Sequence, residues 1–136
     1  MNSNSASEKV SGLSAKMALC LAAMTIVGID GEFKEEELEK LRSLVRSDES
    51  AFLEAFSFYN ERPLDVCIKV VAAKLNDEQK RIAYVILYDL AQVDRDFAVS
   101  EQDLLKQYAA EFRLAKEFVL SVKNTPNRKY NLAAFN

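Results

Sequence analysis

The sequence predicts an all-α protein, a compact bundle of about seven helices, and three observations support this prediction. Apolar residues recur at three- and four-residue spacings along most of the chain. No alternating run of β-branched residues bounded by turn residues occurs in the 136-residue sequence. An acidic pattern occurs twice, so we expect the bundle to contain an internal pseudo-twofold duplication of a helix-turn-helix unit.

The composition is typical of a soluble globular protein. Hydrophobic residues make up 49% of the chain and charged residues 29%, which allows one domain with a substantial core. The net charge is −3, and Lys and Arg are scattered along the sequence, so no nucleic-acid partner is expected. Cys20 and Cys67 lie in apolar helical segments and are predicted to be buried, reduced thiols.

The first two helices are predicted from an apolar segment and an amphipathic one. Residues 1–10 are polar and predicted to be disordered, ahead of a single domain over residues 11–136. Residues 12–29 are apolar on nearly every helical face, which indicates a helix surrounded by others. Gly31 is expected to end it, and residues 34–46 form an outer helix with one buried face.

The third and fourth helices follow from capping residues and spacing. Ser47 or Asp48 is expected to cap the third helix. Its apolar side chains follow the helical i, i+3, i+4, i+7 pattern at Phe52, Ala55, Phe56 and Tyr59. Pro63 suits the first turn of the fourth helix, because its missing N–H group would be unpaired there anyway.

The last three helices also have start signals. Asn76 and Gln79 resemble a capping box for a fifth helix that ends near residue 93. Ser100 with Asp103 is expected to open the sixth helix, and residues 115–123 form the seventh. The tail after it is predicted to pack back on the bundle through its apolar side chains, Tyr130, Leu132 and Phe135.

Two strongly apolar segments, residues 17–29 and 82–93, are predicted to be buried core helices. The first has the length of a signal-peptide core but is followed by an acidic turn instead of a small-residue cleavage site. It is also too short to span a bilayer. We therefore expect a cytoplasmic protein with no direct membrane insertion.

The acidic pattern is the strongest functional clue in the sequence. Each residue of the first copy reappears 64 positions later (94 − 30) with no gap: Asp30, Glu32, Phe33 and Glu37 correspond to Asp94, Asp96, Phe97 and Glu101. The same offset pairs apolar residues upstream and downstream, such as Leu21 with Val85 and Leu41 with Leu105. The shared Phe and the three acids at fixed offsets are the part of the repeat that chance explains least well.

These acids lie where a cation would be useful. Asp30 and Asp94 follow predicted helix ends, where the negative end of the helix dipole disfavours a carboxylate. Glu37 and Glu101 fall in the first turn of the next helix, where negative charge is favoured. If the two turns meet, these four carboxylates form a hard oxygen environment for Ca²⁺, Mg²⁺ or Mn²⁺, with Glu32 and Asp96 beside them.

Alternatives to a cation site remain open. The acids also fit solvated helix ends or a patch that docks a protein, and Glu35 and Glu36 are the candidates for partner binding. The two turns are not equivalent, since Arg95 replaces Gly31 and its guanidinium can neutralise the second turn internally. A standard EF-hand does not fit, because Ile26 and Gly28 would occupy its first and third ligand positions.

The pattern resembles the TerB-like domains of tellurite-resistance proteins. The resemblance covers residues 12–123 and is carried by IDGEFKEEEL at 29–38, echoed by VDRDFAVSE at 93–101. It implies a duplicated all-helical fold and a non-enzymatic role in stress response. It further implies that the acidic positions bind a divalent cation or dock a partner, including integral membrane proteins of the TerC type. Lys34 departs from the serine that often caps the second helix of that family.

An enzyme is the least favoured function. Helical bundles that carry di-metal chemistry usually use Glu-x-x-His motifs, and this chain has no histidine. Asp89, inside the fifth helix, is expected to make a satisfied hydrogen bond and not to be catalytic. A metal-independent protein-interaction module is the remaining alternative, and the sequence leaves the oligomeric state open.

Overall fold

The computed structural model describes residues 14–30, 33–92, 99–125 and 131–136, without the side chains of residues 30 and 92. Within these ranges the protein has seven α-helices and no strand, so the all-α prediction is confirmed. The helices are α1 (Ala15–Val27), α2 (Glu35–Leu44), α3 (Glu49–Glu61), α4 (Leu64–Lys74), α5 (Asp77–Gln92), α6 (Val99–Glu111) and α7 (Lys116–Asn124). Short 3₁₀ turns follow α1 and α7, at Gly28–Asp30 and Leu132–Phe135.

Helix α1 lies at the centre of the bundle. Every residue from Met17 to Val27 is at most 8% exposed, and the helix packs against α2, α3, α4 and α5. Ser14 caps it, since the Ser14 hydroxyl accepts a hydrogen bond from Met17 N at 3.1 Å. A helix that is apolar on all faces has no side to expose to water, so the predicted central position is confirmed.

The other helices complete a single apolar core. Helix α5 packs on α1 and α6, and α6 also contacts α4. The rings of Tyr84 in α5 and Phe118 in α7 lie 6.4 Å apart between centroids. Buried side chains from all seven helices belong to one cluster. Among the described residues, none of the helices has the length and apolarity needed to cross a lipid bilayer.

The C-terminal 3₁₀ turn packs against α1 and α5. Phe135 is only 2% exposed, and Leu132 packs against the same core. The Gln79 side chain donates a hydrogen bond from Nε2 to the Ala134 carbonyl at 2.8 Å. The predicted packing of the tail on the bundle is therefore confirmed for Leu132 and Phe135, whereas Tyr130 lies outside the described residues.

Two of the predicted caps are present. The Asn76–Gln79 capping box is confirmed, because each residue's backbone N–H donates to the other's side chain at 2.8 Å. At α3 the cap is Asp48, whose carboxylate accepts from Ala51 N at 3.1 Å. Ser47 cannot fill that role, since its φ of 63° is left-handed and an N-cap residue needs an extended backbone.

Several predicted helix ends are wrong. Helix α2 ends at Leu44 instead of residue 46, because Arg46 and Ser47 adopt left-handed φ values of 56° and 63°. Pro63 is the N-cap of α4 and not a residue of its first turn. Ser100 does not open α6, because the helix begins at Val99 and already includes it. The predicted disordered segment 1–10 and the expected stop at Gly31 lie outside the described residues.

Candidate functional site

The first acidic turn begins where α1 tightens into a 3₁₀ turn at Gly28. The Tyr59 hydroxyl of α3 donates a hydrogen bond to the Gly28 carbonyl at 3.3 Å. A Cβ atom on residue 28 would lie 2.8 Å from Cζ of Phe33 and closer still to the Tyr59 hydroxyl oxygen. Gly28 is therefore needed because these side chains pack closely against it. Its backbone conformation does not require glycine, since any residue can adopt a φ of −90°.

An aromatic cluster fixes the far side of this turn. The Phe33 ring lies edge-on to Phe56 and Tyr59 at centroid distances of 5.7 and 5.6 Å. Phe52 stacks on Phe56 at 6.1 Å, and the Arg42 guanidinium lies 4.5 Å above the Phe52 ring. Edge-to-face ring pairs and cation–π contacts favour specific orientations of the side chains, in addition to the stabilisation that comes from burying apolar area. The turn between α1 and α2 is thus attached to α3 by the aromatic cluster: Phe33, Phe52, Phe56 and Tyr59.

Glu37, one of the predicted cation ligands, stabilises the start of α2. Its Oε1 atom accepts a hydrogen bond from Lys34 N at 2.8 Å. This is half of a capping box, because an ammonium group has no acceptor for the N–H groups of the first turn. The same turn contains Glu35 and Glu36, which are both exposed. Negative charge is favoured there by the helix dipole.

Most of the other predicted ligands lie beyond the described side chains. Asp30 ends the 3₁₀ turn, but its side chain is not described, and Glu32, Asp94 and Asp96 lie outside the described residues. Glu101 lies half-buried in the first turn of α6, as predicted. Among described residues no group of three His, Cys, Asp or Glu side chains is arranged to hold a metal ion.

The buried thiols and hydroxyls are not suited to nucleophilic chemistry. Burial raises the pKa of the Cys20 thiol to about 12 and that of Cys67 to about 11, so both stay protonated at neutral pH. Burial also raises the pKa of Tyr108. The Tyr108 hydroxyl lies 2.8 Å from Oγ1 of Thr25, which itself donates to the Ala22 carbonyl at 2.6 Å. Thr25 therefore accepts from Tyr108, and this bond joins α6 to α1.

The structure also forms a groove that sequence reasoning missed. Its volume is about 740 Å³, and it lies between the end of α4, the start of α5 and the α6–α7 turn. Four basic side chains line it: Lys69, Lys80, Arg81 and Arg113. These residues lie on two different helices, α4 and α5, and in the α6–α7 turn, so no local sequence pattern indicated that they would be neighbours.

No family model, no curated protein and no solved structure matches this chain.

Proposed function

We propose that this protein is a non-enzymatic, TerB-like binding module in stress or tellurite resistance, whose first acidic turn binds a divalent cation. The proposal rests on the contacts that hold the ends of that turn in place. The turn is held at one end by the Tyr59 contact with Gly28, in its middle by Phe33, and at its other end by the Glu37 cap. A carboxylate that is already held in place, as Glu37 is by its bond to Lys34 N, loses little conformational freedom when it binds a ligand.

The helix boundaries support an internally duplicated fold. Moving α1 by 64 positions gives residues 79–91, which fall within α5 (Asp77–Gln92). Moving the first residue of α2, Glu35, by 64 positions gives Val99, which lies in α6 (99 − 35 = 64). In the sequence, the first acidic stretch lies between α1 and α2, and the second lies between α5 and α6.

Burial follows the same offset. Several paired positions are buried in both copies: Leu19 with Ala83, Leu21 with Val85, Ala23 with Leu87 and Leu41 with Leu105. The two copies differ in surroundings, because α1 is enclosed by four helices whereas α5 exposes Arg81 and Glu78 near its start. Such a difference is expected if one copy became the core and the other a side of the bundle.

The residues of the first turn fit a hard cation. A carboxylate has two oxygen atoms and several lone pairs, so the cap formed by Glu37 leaves it able to ligate a cation as well. Asp30 ends the 3₁₀ turn on the other side, and oxygen donors of this kind suit Ca²⁺, Mg²⁺ or Mn²⁺. The second turn is the weaker candidate, because its sequence carries Arg95.

Calorimetric titration of the three cations tests the proposal. Asp30→Asn and Glu37→Gln are suitable variants, since a glutamine at position 37 can still accept the capping hydrogen bond. Glu39→Gln is the matched control, because it makes the same charge change at an exposed position of α2. We expect a Kd below about 1 mM for one cation, weakened at least tenfold in both test variants and unchanged in the control. No binding in this range, or an equal loss in the control, would reject the cation site.

A metal-independent docking surface is the second candidate, and the exposure of Glu35 and Glu36 favours it. Their charges are available to a basic partner surface, and by the resemblance that partner is an integral membrane protein of the TerC type. Binding of such a partner should persist with chelator and be lost in a Glu35→Lys/Glu36→Lys variant. If chelator alone abolishes partner binding, the cation site is favoured instead. If the charge-reversed variant still binds the partner, the surface at Glu35 and Glu36 is not the docking surface.

The absence of histidine and the protonated thiols support a non-enzymatic role.

A further inference from the structure

The groove between α4, α5 and the α6–α7 turn collects positive charge in an acidic protein. Four basic side chains and two carboxylates, Asp77 and Glu111, line it, whereas the whole chain has a net charge of −3. The fold thus concentrates cations on a concave surface, where low-dielectric walls strengthen their combined field.

Three of these cations have no carboxylate partner in the part of the chain that the structure describes. Lys69 pairs with Glu111 at 3.8 Å, and both side chains are well exposed, which makes the pair weak. Within the described residues, no ion pair of 4.0 Å or less is formed by Lys80, Arg81 or Arg113. Since like charges repel one another, an anion in the groove would relieve that repulsion.

Arg113 occupies a position where glycine is usual. It follows α6 with a left-handed φ of 55°, and Arg113 N and Leu114 N bond back to the carbonyls of Ala110 and Ala109. Helices commonly end with glycine in this conformation because a Cβ atom is disfavoured there. The chain instead has an arginine at this position, and that arginine lines the groove.

The groove also offers donors and an apolar surface. Ala115, the N-cap residue of α7, makes no side-chain cap, so no side chain at that position satisfies the first N–H groups of the helix. Phe112, Leu114 and Phe118 supply apolar lining. The volume of about 740 Å³ is far larger than a single phosphate ion and falls within the range of small-molecule sites.

We propose that this groove binds a phosphorylated small molecule with an apolar or planar portion, of the nucleoside-diphosphate class. The arginines contact the phosphates, with Lys69 and Lys80 beside them, and the phenylalanine rings and Leu114 contact the remainder. Guanidinium groups suit this role because they can donate two parallel hydrogen bonds to one phosphate. The site is separate from the acidic turn, so its test is independent of the cation proposal.

The test is calorimetric titration of ADP and of inorganic pyrophosphate into the full chain at low salt. Arg81→Gln and Arg113→Gln remove one guanidinium each, and both positions are exposed, so folding should be retained. Lys40→Gln, an exposed cation on α2, is the matched control. We expect ADP to bind more tightly than pyrophosphate, with a loss of about tenfold for each arginine variant and none for the control.

A further variant separates loss of the site from loss of the fold. Arg113→Gly removes the guanidinium and relieves the left-handed backbone, so it should raise the urea midpoint while it weakens ADP binding. The proposal is overturned if ADP shows no saturable binding below about 10 mM, or if Arg81→Gln and Arg113→Gln bind it as wild type does. It is equally overturned if Lys40→Gln shows the same loss. Equal affinity for pyrophosphate would reject the apolar part of the site.

Discussion

The hydrogen bond between Thr25 and Tyr108 links the central helix to α6, and its removal from either side should have unequal effects. Tyr108 is fully buried and Thr25 is 1% exposed. The Thr25 hydroxyl has a second partner, the Ala22 carbonyl, whereas Thr25 is the hydrogen-bond partner of the Tyr108 hydroxyl. The cost of each substitution therefore depends on which polar group is left without a partner.

Thr25→Val should be the more damaging single substitution. It nearly preserves side-chain volume but leaves the Tyr108 hydroxyl buried without its partner, which costs about 1–3 kcal/mol. Tyr108→Phe removes that hydroxyl and leaves Thr25 bonded to Ala22, so we expect a cost of about 0.5–1.5 kcal/mol. The double variant leaves no orphaned hydroxyl, and it should therefore be more stable than Thr25→Val alone.

Urea unfolding followed by far-UV circular dichroism measures these free energies, since the chain has no tryptophan to report by fluorescence. We expect the double variant to fall short of the summed single effects by about 1 kcal/mol or more. Thr25→Ser is the control, because it keeps the hydroxyl and should leave the cost of Tyr108→Phe unchanged. Additivity within about 0.5 kcal/mol would refute the reasoning.

Three further predictions concern the first turn and the buried thiols. Gly28→Ala should destabilise the protein by about 1–3 kcal/mol in urea unfolding, because its Cβ overlaps the aromatic cluster; adding Tyr59→Phe should restore part of the loss, and no recovery would argue against that contact. Lys34→Ser should raise stability by about 0.5–1 kcal/mol, since a serine at this extended N-cap position completes the capping box with Glu37; an unchanged urea midpoint would contradict this. The folded-state pKa values of Cys20 and Cys67, about 12 and 11, lie above their ordinary value of 9.0, so the stabilisation they give is complete below pH 9 and is lost as the pH rises through 11 to 12. The free energy of unfolding should fall by up to about 1.4 kcal/mol per pH unit for each thiol, and a Cys20→Ala/Cys67→Ala variant with the same slope above pH 9 would contradict it.

Features that depend on neighbours within a few residues could be read from the sequence. The Asn76–Gln79 box was predictable because both partners lie within one helical turn. The central position of α1 was predictable because its apolar residues cover every face. The choice of Asp48 over Ser47 was not, since it depends on the left-handed backbone at the end of α2.

The acidic turn could be predicted from the sequence, but the contacts that hold it in place could not. The repeat with a 64-residue offset identified Glu37 as a candidate ligand, whereas its bond to Lys34 N shows that it also stabilises α2. The sequence placed Gly28 inside the predicted helix at 12–29 and gave no sign of its packing role, because Tyr59, whose hydroxyl excludes a side chain there, lies 31 residues later.

The sequence by itself determined the helical class, the number of helices among the described residues and the Asn76–Gln79 capping box, because these depend on periodicity and on hydrogen bonds within one turn. Only the tertiary structure decided which distant residues meet. Thr25 and Tyr108 are 83 residues apart and form a buried bond. Lys69, Arg81 and Arg113 looked scattered along the chain, and they become neighbours in one groove because α4, α5 and the α6–α7 turn pack together.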